Sequence, residues 1–193
     1  MKSIMISIQP KWCAKIESGA KTIEVRKTRP KIEPPFKCYI YESKGKTKYW
    51  SQPMPIPYRE GGGKVIGEFV CDRIYNIEPH DDGFGVNQYT FVGADSEECK
   101  TGLSFEELKK YLGENIGFGW HISDLKIYDK PRELGEFKKV GFMTEEQWLY
   151  ALYPNTHCHY AAWAKKFEIT RPPQSWCYVE ELEERNELSA IRI

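Results

Sequence analysis

Residues 19–26 read Gly19-Ala20-Lys21-Thr22-Ile23-Glu24-Val25-Arg26, and the rest of the chain is read outward from this octet. Its second part alternates, with Ile23 and Val25 on one face of an extended strand and Thr22, Glu24 and Arg26 on the other. Gly19 supplies a left-handed stop for whatever precedes it. Pro10 suits a first helical turn and Trp12 and Ile16 stand four apart, so residues 11–18 predict a two-turn helix. Before that helix, Ile4, Ile6 and Ile8 alternate with Ser3, Met5 and Ser7, the period of a strand with one buried face. The N-terminal unit is therefore strand, short helix and a strand with a polar row. Glu24 and Arg26 stand about 6.5–7 Å apart along that row. Such a pair either orders the fold as an ion pair or grips a polar ligand. Lys21, at the junction of helix stop and strand, is either a solvated lysine or a cation reaching over a cleft. Trp12 is either core or a stacking platform.

Further along, Phe36–Tyr41 predicts a third strand, and 42–63, with Pro53, Pro55, Pro57 and Gly61-Gly62-Gly63, predicts a loop. Lys64–Ile77 predicts one long strand able to bend at Gly67. Residues 78–103 read as irregular and, with the segment after them, as an insertion over 78–117. Ser104 and Glu107 form a capping box for a helix that carries Phe105, Leu108 and Leu112 on one face and closes at Gly113. Phe118–Tyr128 is strand-like. Thr144 with Gln147 opens a short helix that stops before Pro154, and Phe167–Thr170 and Trp176–Leu182 are extended around Pro172-Pro173. Short strands with few helices and no regular β–α–β alternation predict an α+β fold built on a small β-barrel, in a single domain over 1–193.

The 193 residues carry 28 Lys and Arg against 28 Asp and Glu, a net charge of zero, with 40% hydrophobic and 14% aromatic residues. That excludes a polybasic nucleic-acid tail and an acidic disordered chain. The balance is uneven along the chain: residues 1–50 hold 12 basic and 4 acidic side chains, residues 51–100 hold 4 and 9. The octet lies in the basic quarter. Six cysteines without a secretory leader predict reduced thiols and a cytoplasmic protein, and no apolar run is long enough for a membrane span.

The run Gly19-x-Lys21-x-x-Glu24-x-Arg26 after a short Pro-initiated helix resembles the ASCH domain family of the PUA-like superfamily, in its larger bacterial and phage-type form. Gln9-Pro10, Ile66-Gly67-Glu68-Phe69, Trp120-His121-Ile122-Ser123-Asp124-Leu125 and Pro172-Pro173-Gln174-Ser175-Trp176 extend the likeness. The resemblance implies a PUA-like β-barrel that binds RNA or a nucleotide in a cleft between the first helix and second strand. The implied ligand contacts are Trp12, Lys21, Glu24 and Arg26, with Lys11, Lys15, Lys27 and Arg29 as further cations. Such a site has aromatic surface for stacking, cations for phosphate and a carboxylate for an exocyclic amine.

One ASCH branch hydrolyses the acetyl amide of N4-acetylcytidine. It has a threonine where this chain has Glu24, and a carboxylate there is a poorer acyl acceptor. Should the chain be an enzyme, Lys21 and Glu24 are the implied catalytic pair, for an amidohydrolase or a metal-free ribonuclease. A protein-interaction module using the insertion is the third reading. No cofactor and no metal are implied: His157-Cys158-His159 lacks the second ligand pair of a zinc site, and Asp81-Asp82-Gly83 lacks the rest of a calcium loop. Gly61-Gly62-Gly63-Lys64 is too short for a phosphate-binding loop, and the glutamates at 180, 181, 183 and 184 read as a solvated face.

Overall fold

The computed structural model describes residues 2–46, 60–95, 99–151 and 157–182. In chain order it holds β1 (Lys2–Ile8), α1 (Pro10–Glu17), β2 (Ile23–Arg26), β3 (Phe36–Glu42), β4 (Gly45–Lys46), β5 (Glu60–Gly61), β6 (Val65–Cys71), β7 (Ile74–Asp81) and β8 (Val86–Val92). Next come α2 (Phe105–Leu112), β9 (Gly117–His121), β10 (Ser123–Arg132), a 3-10 turn at Leu134–Glu136, α3 (Glu145–Ala151), α4 (His157–Lys165) and β11 (Trp176–Glu180).

The fold is α+β, with mostly strands and few helices. The strands form a five-stranded sheet in the order β10-β6-β3-β1-β11, a four-stranded sheet in the order β2-β9-β7-β8, and the small β4-β5 pair. Among the described residues only β1 and β3 pair in parallel, because α1 and β2 lie between them in sequence and carry the chain back to the same end. The expected closed barrel is not formed among the described residues: no ladder joins the two larger sheets. They are linked covalently, at Asp72-Arg73 between β6 and β7 and at Ile122 between β9 and β10.

Those links correct two expected strands. The run Lys64–Ile77 is two strands in different sheets, broken at Asp72-Arg73 rather than bent at Gly67. Gly67 has another role: a Cβ there would lie 2.5 Å from the Lys126 carbonyl oxygen, so its absence lets β10 lie against β6. Phe118–Tyr128 likewise divides at Ile122. The stretch 78–103 is also less irregular than its composition suggests, since β7 and β8 pair from Asn76↔Val92 to Asp81↔Val86. The Asp81 carboxylate accepts the Gly83 and Gly85 amides at 2.7 and 3.0 Å, which makes Asp81-Asp82-Gly83 a hairpin turn. Helix α4 covers the residues of the His157-Cys158-His159 run. The prolines at 53, 55 and 57, the end of the helix before Pro154, and Glu183 and Glu184 lie outside the described residues.

Apolar layers follow from strand alternation. Ile4, Ile6, Phe36, Cys38 and Phe69 of the larger sheet meet Trp120 of the smaller one, with Cys13 and Ile16 of α1 closing that central core. Met5, Tyr39 and Val179, on the opposite face of the larger sheet, pack beneath Phe137 and Ile169. On the outer side of the smaller sheet Val25 and Ile77 pack against Leu108 and Leu112 of α2. The capping box of α2 is present in full, Ser104 and Glu107 satisfying each other's backbone amides. Cys13, Cys38, Cys71, Cys99 and Cys177 form no disulfide among the described residues. No described helix is long and apolar enough to cross a membrane.

Candidate functional site

Strand β2 is buried along its whole length, on both faces. Ile23 and Val25 point toward apolar layers, so alternation sends Glu24 and Arg26 to the side where β1, α1 and the 172–175 segment meet. A cleft of about 680 Å³ opens there, and Trp12, Lys21, Glu24 and Arg26 all line it. The volume falls within the range of small-ligand sites.

Lys21 does not lie along the surface. It is 2% exposed, and its Nζ donates to the Ile23 and Thr101 carbonyl oxygens, both at 2.7 Å, while lying 3.2 Å from Glu24 Oε2. Three acceptors around one nitrogen match the three protons of an ammonium. Burial pulls the Lys21 value below that of an ordinary lysine, against the opposing pull of the Glu24 carboxylate. The solvated-lysine alternative is thereby removed. A lysine reaching freely over a cleft is not what is found either.

Glu24 is shared between two cations. Its Oε1 lies 2.9 Å from Arg26 Nη2. Its Oε2, beside Lys21, accepts no aligned hydrogen bond although it is buried. Arg26 Nη2 also donates to the Ser7 carbonyl oxygen at 2.7 Å, and Nη1 to Ser175 Oγ at 3.4 Å, while Nε is buried without an acceptor. The intrastrand pair expected of these residues is therefore real, with Glu24 bridging Lys21 and Arg26.

Trp12 is partly buried and packs on the central core, and it also lines the cleft. Lys11, Lys15 and Lys21 place their Nζ atoms 4.0, 4.9 and 5.6 Å from its ring centre. Two of these cations have other partners: Lys11 pairs with Glu107 at 3.1 Å and Lys15 donates to the Gly102 carbonyl oxygen at 2.6 Å. Arg29 pairs with Glu33 away from the cleft. Lys27 stands 5.1 Å from the Tyr111 ring centre.

The wall that hides Lys21 comes from the insertion. The Lys100 carbonyl oxygen accepts the Thr22 and Ile23 amides at 2.8 and 3.1 Å, the Thr101 oxygen takes Lys21, and Gly102 takes Lys15. Gly102 has a φ of +69°, and a Cβ there would stand 3.0 Å from the Lys15 side chain, so a glycine is required at this crossing. Leu103 and, from α2, Tyr111 complete that wall. On the opposite side Ser7 N donates to the Ser175 carbonyl oxygen and Ser7 Oγ to that of Pro173. Reading the sequence by periodicity missed residues 100–103 and Tyr111. An aperiodic segment that contributes backbone carbonyls leaves no side-chain pattern, and Tyr111 reads simply as helix. Among the described residues, no three His, Cys, Asp or Glu side chains converge as a metal site.

No protein-family model and no curated protein matches the chain. Its likeness is to solved structures. The crystal structure of ASCH from Zymomonas mobilis superposes with a TM-score of 0.52 at 17% identity, covering 93% of this chain and 88% of that one. A tyrosine-to-phenylalanine mutant of that protein gives 0.49 at 18% identity over 94% and 92%, and a serine-to-alanine mutant 0.49 at 16% over 93% and 89%. The chain has an ASCH-domain fold.

Proposed function

We propose that the chain binds a nucleotide or a short single-stranded stretch of RNA in the cleft between α1 and β2. The observation that carries this reading is a cleft of about 680 Å³ lined by the Trp12 ring together with Lys21, Glu24 and Arg26. A cleft that combines an aromatic ring with a carboxylate and a guanidinium can meet both the face and the hydrogen-bonding edge of a base. Nucleobase edges offer donors and acceptors, and an aromatic ring offers the stacking that unpaired bases seek. The local excess of basic residues in the first quarter of the chain favours an anionic ligand. The ASCH-domain fold supports the same reading by analogy.

Binding is favoured over hydrolysis by the state of Lys21. With three acceptors around its ammonium, it offers no lone pair to a substrate and no vacant proton to a leaving group. Glu24 is itself paired with both cations.

The test is equilibrium binding of labelled single-stranded RNA at low and moderate salt, for the natural chain and Trp12→Ala. We expect saturable binding that weakens as salt rises and falls by about 1–3 kcal/mol, roughly tenfold or more, in Trp12→Ala. No saturable binding of RNA or nucleotides at low salt, or full affinity in the variant, contradicts the reading.

A further inference from the structure

The charged side chains that line the cleft fall into two groups. Lys21, Glu24 and Arg26 form the buried floor and are paired with one another. Lys44 stands apart: it is exposed, and among the described residues its ammonium meets no carboxylate and donates no hydrogen bond. Its place follows from the larger sheet. In the parallel pairing of β1 with β3, Ser7 lies beside Tyr41 and Ile8 beside Glu42, so Gln9 and Ser43 come next where both strands end. The Ser43 amide fixes that step by donating to the Ile8 carbonyl oxygen at 2.9 Å. Gln9 and Ser43 also line the cleft, and neither side chain has a hydrogen-bond partner among the described residues. The glycine run that is too short for a phosphate-binding loop braces this corner instead. A Cβ on Gly61 would collide with the Ser43 carbonyl oxygen, and the Gly62 amide donates to Glu42 Oε2 at 3.1 Å. A Cβ on Gly63, where φ is +68°, would lie 2.5 Å from Lys44 Cε and 2.7 Å from its Cγ. The Lys44 stem is therefore laid along glycine backbone, and part of the entropy of ordering it is already lost before any ligand arrives.

We infer that Lys44, with the Ser43 hydroxyl and the Gln9 side chain, forms the cleft's subsite for a phosphate group of its ligand. This deepens the nucleotide-binding reading and rests on it. An ammonium supplies the charge, and a hydroxyl and an amide beside it supply donors for the phosphate oxygens. The other cations offered by the sequence are engaged: Lys11 with Glu107, Lys15 with Gly102 and Arg29 with Glu33. Lys21 and Arg26 are enclosed and share Glu24. Trp12 N donates to the Gln9 carbonyl oxygen at 2.9 Å, so the aromatic surface and this corner are one helical turn apart, about 5 Å along the axis. A nucleotide with its base at Trp12 has its phosphate near Lys44. Because Lys44 is exposed, a chain can continue past it, and the phosphate belongs either to a free nucleotide or to the backbone of an RNA strand.

The experiment measures binding of nucleosides, their monophosphates and unphosphorylated trinucleotides by calorimetry, for the natural chain and Lys44→Met, at roughly 50 and 300 mM salt. We expect the phosphate to tighten binding by about tenfold at the lower salt, with a gain that shrinks as salt rises because Lys44 is exposed. Lys44→Met, which keeps a stem on Gly63 and loses the charge, removes that gain and leaves nucleoside affinity within about twofold. Lys44→Arg restores it, which separates the charge from any damage to the fold. Lys110→Met, an exposed lysine of α2 outside the cleft lining, retains it. Sensitivity of the trinucleotides to Lys44→Met, with a salt slope lowered by about 0.7, identifies a strand backbone as the source; sensitivity of the monophosphates alone identifies a free nucleotide. Three results overturn the subsite while leaving the wider reading intact: Lys44→Met keeps the phosphate gain, it weakens nucleosides and nucleotides equally, or Lys110→Met removes as much of the gain. Failure of nucleosides, nucleotides and trinucleotides alike to bind the natural chain overturns both.

Discussion

Replacing Lys21 by methionine removes the ammonium while keeping a side chain of similar length. It takes away three contacts at once: the Ile23 and Thr101 carbonyl oxygens at 2.7 Å and Glu24 Oε2 at 3.2 Å. Removing one partner of a buried ion pair costs about 3–5 kcal/mol, much of it from the charge left behind. Here Glu24 retains Arg26 at 2.9 Å, and the desolvation of the lysine is itself recovered, so the lower end applies, about 3 kcal/mol. Against a total stability of about 5–15 kcal/mol that is a large fraction. At about 2–4 °C per kcal/mol for a chain of this size, the melting temperature falls by roughly 6–12 °C. Urea unfolding at pH 7, followed by tryptophan fluorescence, measures the cost directly, and an unchanged denaturant slope assigns it to the native state. A cycle with Glu24→Gln completes the argument. The double variant is expected to lose less than the sum of the singles by about 1 kcal/mol or more, because the two changes remove one shared interaction. A Lys21→Met chain within about 0.5 kcal/mol of the natural one behaves as a surface substitution, and would refute the buried ammonium on which the cleft floor is built.

Two further outcomes follow from the frame around the cleft. Glu107 caps α2 and meets Lys11; burial would raise its carboxyl, but the Ser104 amide and the Lys11 ammonium outweigh that and hold it below the usual value. A carboxyl with a depressed folded value contributes stability that is complete above its unfolded value near 4.5 and is lost as pH falls through the folded one. Glu107→Ala should therefore cost about 0.5–1 kcal/mol at pH 7, discounted because the side chain is partly exposed, and the difference from the natural chain should shrink below pH 4.5. Paired unfolding curves at pH 7 and pH 3.5 check this, and a gap that stays constant between them counts against the cap. Gly67→Ala should cost about 1–3 kcal/mol, because the new Cβ meets the Lys126 carbonyl oxygen at 2.5 Å and backbone must move. Unfolding within 0.5 kcal/mol of the natural chain would show that β10 has room to spare.

Much of the cleft was legible before any coordinates, because its core is local. Helix stop, lysine, and alternating Glu24 and Arg26 lie within eight residues, and strand periodicity alone places the two charged side chains on one face. What periodicity does not report is whether that face meets water. The polar row of β2 is buried because residues from elsewhere cover it: Thr101 comes from 80 positions downstream of Lys21, and Ser175 from 149 downstream of Arg26. Covering by backbone carbonyls is invisible in composition, which is why a lysine that reads as solvated turns out to be the most enclosed charge in the site. The strand breaks failed for a related reason. Asp72-Arg73 is a charged break in an otherwise apolar run and Ile122 continues one, but that the chain changes sheet at both is decided by tertiary pairing. Turn chemistry, by contrast, was readable in place at Gly19, in both capping boxes and in Ser104–Gly113 as a helix.

Hydrogen exchange along the chain, with and without a saturating nucleoside monophosphate or short RNA, tests the central claim most directly. Binding in the cleft should slow exchange in α1, in residues 100–103 and in 173–176, and leave the β7–β8 hairpin and α3 unchanged. Slowed exchange at the hairpin or α3 with none in those three segments, or no change under any such ligand, would contradict it.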